Sequence, residues 1–265
     1  MGDDAPLLKA GEFLLVIQNY WWPFCRIMAI FTLAPLLNHK AFTKQARFLL
    51  ALSLTIALGG ALPDAPDVDP LSAQGALLTL EQIVFGLILG LAMQLVFTIF
   101  TIVGEVVATQ MGMSMARLND PVNGVASSII YQVYFVLLAF LFFAVDGHLL
   151  TVVVLFKSFA YWPVGSGLSY FSFERMIGAI SWVFSAAMML SLPMVFCTFL
   201  VQFCFGLLNR ISPTLNLFSL GFPISIIVGL LCIYFTLPGL PESYVKLTRE
   251  LLDTIEQMMQ GGRDV

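Results

Sequence analysis

Five stretches of this 265-residue chain are long enough, and nearly free enough of charge, to cross a lipid bilayer, and that feature limits the fold more than any other. A spanning helix needs about 20 apolar residues, because a rise of about 1.5 Å per residue must cover a hydrocarbon core of about 30 Å. The stretches run from Phe13 to Leu37, Ala76 to Val103, Ser127 to Phe156, Met176 to Leu208 and Gly221 to Leu240. A sixth, from Phe48 to Leu62, is apolar but shorter. The expected fold is an all-α membrane protein with about six long hydrophobic helices, several of them kinked or paired in hairpins.

Composition agrees with an apolar solvent. The chain is 59% hydrophobic and only 11% charged, against roughly a quarter charged in soluble domains, and its mean hydropathy is +0.93. The net charge is -4 and the 12 basic residues are scattered, so the electrostatic footprint of a nucleic-acid binder is missing and no such partner is expected. Cys25, Cys197, Cys204 and Cys232 each lie inside an apolar stretch without C-x-x-C spacing, which reads as small buried hydrophobes. The opening MGDDAPLLKAGEF is acidic where a signal peptide needs positive charge, so the first apolar segment is expected to stay in the protein.

The segment lengths are uneven. From Phe48 the helix reaches only about 22 Å, whereas the uncharged run from Met176 reaches about 50 Å. Tilt absorbs part of such mismatch, and Pro193 inside the long run points to a kink. Some helices are therefore expected to bury apolar surface on protein neighbours, although long tilted helices in an ordinary bundle satisfy hydropathy equally. Turns fall at Pro63 to Pro70 (PDAPDVDP), Asp120 to Gly124 (DPVNG) and Tyr161 to Gly167 (YWPVGSG). No interdomain linker or repeat interrupts the chain, which reads as one unit over residues 1–265. Lys40, Lys44 and Arg47 against Asp64, Asp67 and Asp69 put the first loop in the cytoplasm, the N-terminus outside, and Trp21, Trp22, Trp162 and Trp182 near the outer interface. From Glu242 to Met259, Tyr244, Val245, Leu251, Leu252, Ile255, Met258 and Met259 fall mostly on one face, giving a C-terminal amphipathic helix that lies on the membrane or docks on a partner.

Reactive constellations are scarce. There are two histidines, His39 and His148, and no H-E-x-x-H, phosphate loop or nucleophile elbow. An enzyme is not expected, nor any cofactor or metal site. Ionisable groups within apolar segments single out Arg26, Glu81 and the triplet Asp146, Gly147, His148. Asp146 and His148 suit a proton relay, or equally a pair fixing a helix break at Gly147. A proton-coupled secondary transporter using Glu81, Asp146 and His148 is the rival reading, and the matching halves such folds usually carry are not evident. Gly86 and Gly90 form a G-x-x-x-G pair that permits close helix packing.

The most unusual stretch is GEVVATQMGMSMARLNDPVNG, from Gly104 to Gly124. Met111, Met113 and Met115 alternate with Gly112 and Ser114, so an extended backbone would line them along one side. Methionine makes a soft, adaptable surface, suited to a conformable plug in a pore; a plain surface loop accounts for the same residues.

Two motifs carry a family resemblance. DPVNGVASSIIYQVYFVLLAFLFFAVDGHLL resembles the FliR pattern of a D-P-x-x-G turn, a long apolar helix and a terminal G-H pair, here Gly147 and His148. RISPTLNLFSLGFPISIIVGL is similar to the most recognisable FliR segment, with Arg210, Pro213, Leu215, Asn216, Phe218, Gly221, Phe222 and Pro223 in order. The FliR family of flagellar and type III secretion export-gate subunits is the one this chain resembles, with the Gly221, Phe222, Pro223 ending on the flagellar side. The resemblance implies a single copy packed with several FliP and FliQ homologues, with FlhA and FlhB homologues, membrane lipids and unfolded flagellar substrates as further partners. It also implies a place in the bacterial inner membrane at the flagellar basal body, with oblique helical hairpins projecting partly to the periplasmic side. Residues 1–125 would then supply N-terminal helices and a plug loop over Gln110, Met111, Gly112, Met113, Ser114, Met115, Ala116, Arg117 and on to Asn119. Residues 126–265 would supply a FliQ-like hairpin, its tip running from Asn209 and Arg210 through Asn216 and Phe218 to Phe222, with Pro223 just beyond among the candidate subunit contacts.

Overall fold

The computed structural model describes residues 4–39, 42–63, 66–113, 128–167, 173–211 and 217–260, with the side chains of 4–18, 173–176, 217–220 and 222 outside the description. Every described element is helical: α1 (Asp4–Leu33), α2 (Lys44–Leu58), α3 (Ala73–Gln110), α4 (Ile129–Ala144), α5 (Gly147–Tyr161), α6 (Phe173–Ile211), α7 (Leu217–Thr236), a 3-10 turn (Leu237–Gly239) and α8 (Leu240–Gln260). This is the all-helical membrane architecture that the apolar runs imply.

Among the described residues, three helical stretches are long and apolar enough to cross a bilayer, Ala73–Gln110, Ile177–Ile211 and Pro223–Gln260, or four if the pair α4 and α5 counts as one broken span. The single run expected from Ser127 to Phe156 is thus two helices. Asp146 sits between them in the left-handed region, φ 54° and ψ 34°, a conformation that costs an L-residue energy and cannot continue a right-handed helix. At the other extreme, α3 does not stop at Val103 but continues through Gly104 to Gln110, for a length of about 57 Å.

Capping chemistry explains where the helices start and stop. Thr43 Oγ1 accepts from Ala46 N at 3.2 Å to open α2, and Ser128 Oγ accepts from Tyr131 N at 3.1 Å to open α4 while donating to Glu105 at 3.0 Å. The end of α3 is a Schellman motif: Met113 N donates to Ala108 O at 3.0 Å and Gly112 N to Thr109 O at 3.0 Å, with Gly112 at φ 78°.

The chain folds as two compact units, each assembled from separated stretches. The first gathers α1, α2, α3 up to Gln94, α5 and α8 from Leu251. In it, Gly86 and Gly90 bring the α3 backbone against α1: a Cβ at 86 would lie 2.5 Å from the Arg26 carbonyl oxygen, and one at 90 would lie 2.8 Å from that of Ile30. Trp22 and Trp162 are fully buried in this unit, so these two pack as core residues. Trp162 stacks on Phe85 at 4.9 Å.

The second unit holds α3 from Leu95, α4, α6 from Gly178, α7 and α8 up to Glu250. Phe97 packs its ring against Phe135, Phe142 and Tyr244 with centroids 5.9 to 6.3 Å apart, the edge-to-face separation aromatic rings prefer. Much of α6 and α7 turns apolar surface outward, including Phe184, Met189, Phe199, Leu230 and Phe235. The same outward exposure corrects the reading of the cysteines as buried: Cys204 is exposed, the other three are half-buried, and all four are free thiols.

The apolar stripe of α8 is neither on a membrane surface nor left for a partner. Leu240, Tyr244, Leu247, Leu251, Ile255, Met258 and Met259 are all buried within the chain itself, and Glu256 pairs with Lys157 of α5 at 3.1 Å. Val245 and Leu252, expected in the stripe, are only half-buried, while Leu240 and Leu247 complete it.

The glycine contacts make a graded prediction. Gly86→Val or Gly90→Val should lower the stability of the purified chain by about 1–3 kcal/mol through overpacking against α1. Gly178→Ala and Gly206→Ala, where a Cβ meets nothing within 4 Å, should be neutral or stabilising by up to about 1 kcal/mol. Thermal unfolding in mild detergent reads the difference, and equal effects at all four positions would contradict the packing.

Candidate functional site

The deepest polar feature is built on Arg26, whose side chain is fully buried in the middle of an apolar helix. Bare burial of a guanidinium would cost several kcal/mol, so each face of it must be answered. Arg26 Nε donates to Gln82 Oε1 at 2.8 Å. Nη1 donates to the Ser158 carbonyl at 3.0 Å and to Ser158 Oγ at 3.2 Å, and Nη2 donates to the Trp162 carbonyl at 2.7 Å. The flat face of the group lies over the Phe159 ring at 4.1 Å and over Phe85 at 5.4 Å, a stacking that adds attraction when water is excluded.

Both carbonyls belong to the C-terminal end of α5, where a positive charge is favoured; the Ser158 carbonyl also accepts the Trp162 N–H at 2.9 Å. Arg26 from α1 therefore closes the end of α5, while Gln82 from α3 holds its third edge. The network continues outward: Gln82 Nε2 donates to Glu81 Oε1 at 3.4 Å, and the same oxygen accepts the Gly165 N–H at 3.1 Å. Glu81 thus fixes the turn after α5, whose Gly165 has φ 88°. Chemically this is a brace. It supplies donors whose acceptors are already in place and no nucleophile next to a base.

The remaining sequence-marked groups lie apart from it. Asp146 and His148 are exposed, not buried as expected, while Gly147 between them at the left-handed break is buried; Asp146 makes no side-chain cap hydrogen bond. Glu81 is buried as expected. The extended backbone expected at Met111 to Met113 is a helix-ending turn instead, because Gly112 at positive φ closes α3. Met111 is buried in the second unit, where a Cβ on Gly229 would come within 2.7 Å of its Sδ. Met113 is half-buried, and Gln110 O accepts from Gln202 Nε2 at 2.9 Å. Ser114, Met115, Ala116 and Arg117 lie outside the described residues, as does Asn216. Asn209 and Arg210 are exposed at the end of α6, Pro223 is exposed within α7, and Phe218 belongs to α7 with its side chain undescribed.

Sequence reasoning found Arg26 and Glu81 but missed Gln82 and Ser158. A signal for Gln82 existed: a buried cation in an apolar run demands acceptors, and Gln82 is a polar residue inside another apolar run, whereas Ser158 lies just past the run that ends at Phe156. The network's weight follows from what its loss leaves behind. Arg26→Met should destabilise the chain by about 3–5 kcal/mol, since it strands the Trp162 carbonyl and Gln82 Oε1 in a dry interior. Arg26→Lys should recover only part of that, having one point of charge in place of a planar fork. Thermal unfolding of the purified variants checks both, and an Arg26→Met chain as stable as the parent would refute the brace.

Comparison with known proteins agrees with these features. The family model described as bacterial export proteins, family 1, matches residues 17–251. The flagellar biosynthetic protein FliR of Buchnera aphidicola subsp. Baizongia pistaciae is 31% identical over 242 residues, covering 91% of this chain and 94% of that protein. FliR of Escherichia coli K12 is 31% identical over 224 residues, 84% of this chain and 85% of its own length. FliR of Bacillus subtilis 168 is 29% identical over 210 residues, 78% and 81% of the two chains. An all-helical apolar chain matched from residue 17 to residue 251 by one family model belongs to that family, the bacterial export proteins of family 1, together with the FliR proteins.

Proposed function

We propose that this chain is a structural and gating subunit of the flagellar type III protein export channel, working without catalysis of its own and assembling with FliP and FliQ homologues around a path for unfolded flagellar proteins. Family membership supports the export role, and one structural observation supports the assembly. The outer faces of α6 and α7 carry large apolar side chains that the chain does not cover, a surface that sister helices or lipid can bury. A pore for unfolded chains asks for a wide lumen and a deformable closure, not a fixed set of converging polar groups, and the polar groups here are consumed in bracing helices.

In this reading the chain sits in the bacterial inner membrane at the flagellar basal body, partly projecting to the periplasmic side, with FlhA and FlhB homologues as neighbours. Residues 1–125 contribute the first helices and the plug loop. Residues 126–265 contribute the FliQ-like hairpin of α6 and α7, with Asn209, Arg210, Asn216, Phe218 and Pro223 around its tip as candidate subunit contacts. The rival, a proton-coupled transporter, needs Glu81, Asp146 and His148 to share a proton route, whereas the hydrogen bonds of Glu81 run to Gln82 and Gly165 and the other two are exposed.

Purification of the tagged chain in mild detergent should bring FliP and FliQ homologues with it in fixed proportion. A lone, monodisperse product that moves a small solute into vesicles would favour the transporter instead. The plug can be tested without disturbing the buried anchor at Met111: deletion of Met113 to Met115 should leave assembly intact and make the reconstituted gate leaky to small ions. Conductance equal to that of the intact gate would rule against a sealing role for these residues.

A further inference from the structure

One continuous helical stretch, Pro223–Gln260, passes as a single membrane span by length and composition, yet its two halves present different chemistry outward. On α7 the exposed side chains are apolar, with Ile227, Leu230, Leu231 and Phe235 among them. Past the 3-10 turn Leu237–Gly239 the outer face of α8 is charged: Glu242, Lys246 and Arg249 are exposed, on the side away from the buried Leu240, Tyr244 and Leu247. Among the described residues none of these three is held in an ion pair. Glu250, half-buried beside them, accepts from Trp182 Nε1 at 3.2 Å.

The packing of α8 sets the depth of those charges. Tyr244 lies against Phe97 and Phe100 of α3 with ring centroids 6.3 and 6.1 Å apart, and Leu240 shares a recess with Phe100 and Val103, so α8 runs antiparallel to α3. Between Glu81 and Glu105, α3 carries no charge, a run of about 36 Å that is long enough to cross a hydrocarbon core. Phe97 lies about 12 Å inside the Glu105 end of that run, and Lys246 and Arg249 follow Tyr244 by about 3 and 8 Å in the direction away from that end. Lipid there would strand two cations deep in hydrocarbon, beyond the snorkelling that relieves charges near helix ends. An apolar sister helix would leave them buried and unpaired. Water keeps them solvated. We infer that water covers the outer face of α8 at the level where α3 is uncharged, so that Glu242, Lys246 and Arg249 border an aqueous compartment and the surrounding medium changes at the 3-10 turn.

Thiol labelling of the full chain, in native membranes with whatever subunits accompany it, tests this. Single variants Glu242→Cys, Lys246→Cys and Arg249→Cys sample the charged face, and Leu230→Cys and Phe235→Cys sample the apolar face of α7. The membranes would be opened by sonication so that both sides meet a sulfonated maleimide, and labelling would be read site by site by mass spectrometry. The natural Cys204, exposed on the apolar α6, serves as the internal reference in every variant. Because the thiolate is the reactive form and an apolar surround suppresses it, the three α8 positions should react about tenfold or more faster than Leu230→Cys, Phe235→Cys and Cys204. The unsubstituted chain gives a second readout, in which Lys246 should be acylated by a sulfonated succinimidyl ester. Labelling at Lys246→Cys and Arg249→Cys no faster than on α7, or a native Lys246 that resists acylation, would overturn the inference. So would protection of the α8 sites that vanishes when the subunits are separated in detergent, since a partner's surface and not water would then cover the face.

Discussion

A charge that cannot reach water organises the first unit. Arg26 is enclosed by four donor contacts and two aromatic faces, supplied by Gln82 and Phe85 of α3 and by Ser158, Phe159 and Trp162 at the end of α5. Because a buried guanidinium tolerates no missing partner, the positions of α1, α3 and the end of α5 are set jointly and not one pair at a time. Apolar packing alone is permissive about rotation and register, especially where lipid gives helices no hydrophobic reason to associate. The arginine supplies the discrimination that greasy surfaces lack, and Gly86 and Gly90 supply the closeness that lets Gln82 reach it.

The same economy governs the second unit through different chemistry. Here the organising contacts are aromatic, with Phe97 at the centre of a ring cluster that includes Tyr244 from α8. An amphipathic C-terminal helix is often read as a surface element, yet this one spends its apolar stripe inside the chain. That leaves the outer faces of α6 and α7, like those of α2 and α4, with large apolar side chains uncovered among the described residues.

The helical class and the approximate positions of the apolar segments could be read from the sequence, because runs of about 20 uncharged residues leave few alternatives. The break at Asp146 was only half legible: D-G-H marked an interruption, but hydropathy is blind to φ, and the two halves together look like one long run. The reach of α3 to Gln110 was hidden because Glu105, Thr109 and Gln110 lower hydropathy without opposing a helix. Gly112 was read by its alternation with methionines, whereas its conformational freedom was the decisive property, ending α3 where an extended segment was expected. The Arg26 and Glu81 network was visible as two polar residues out of place, but their partners are three backbone groups, a serine hydroxyl and an uncharged amide. Backbone acceptors carry no sequence signal at all.

The packing of Met111 against Gly229 has an implication for cells under oxidative stress. Its sulfur sits where even a methyl group on the facing glycine would collide, so conversion to the sulfoxide would insert an oxygen into a space with none to spare. Met188 and Met189, exposed on α6, present far easier targets and would consume peroxide first.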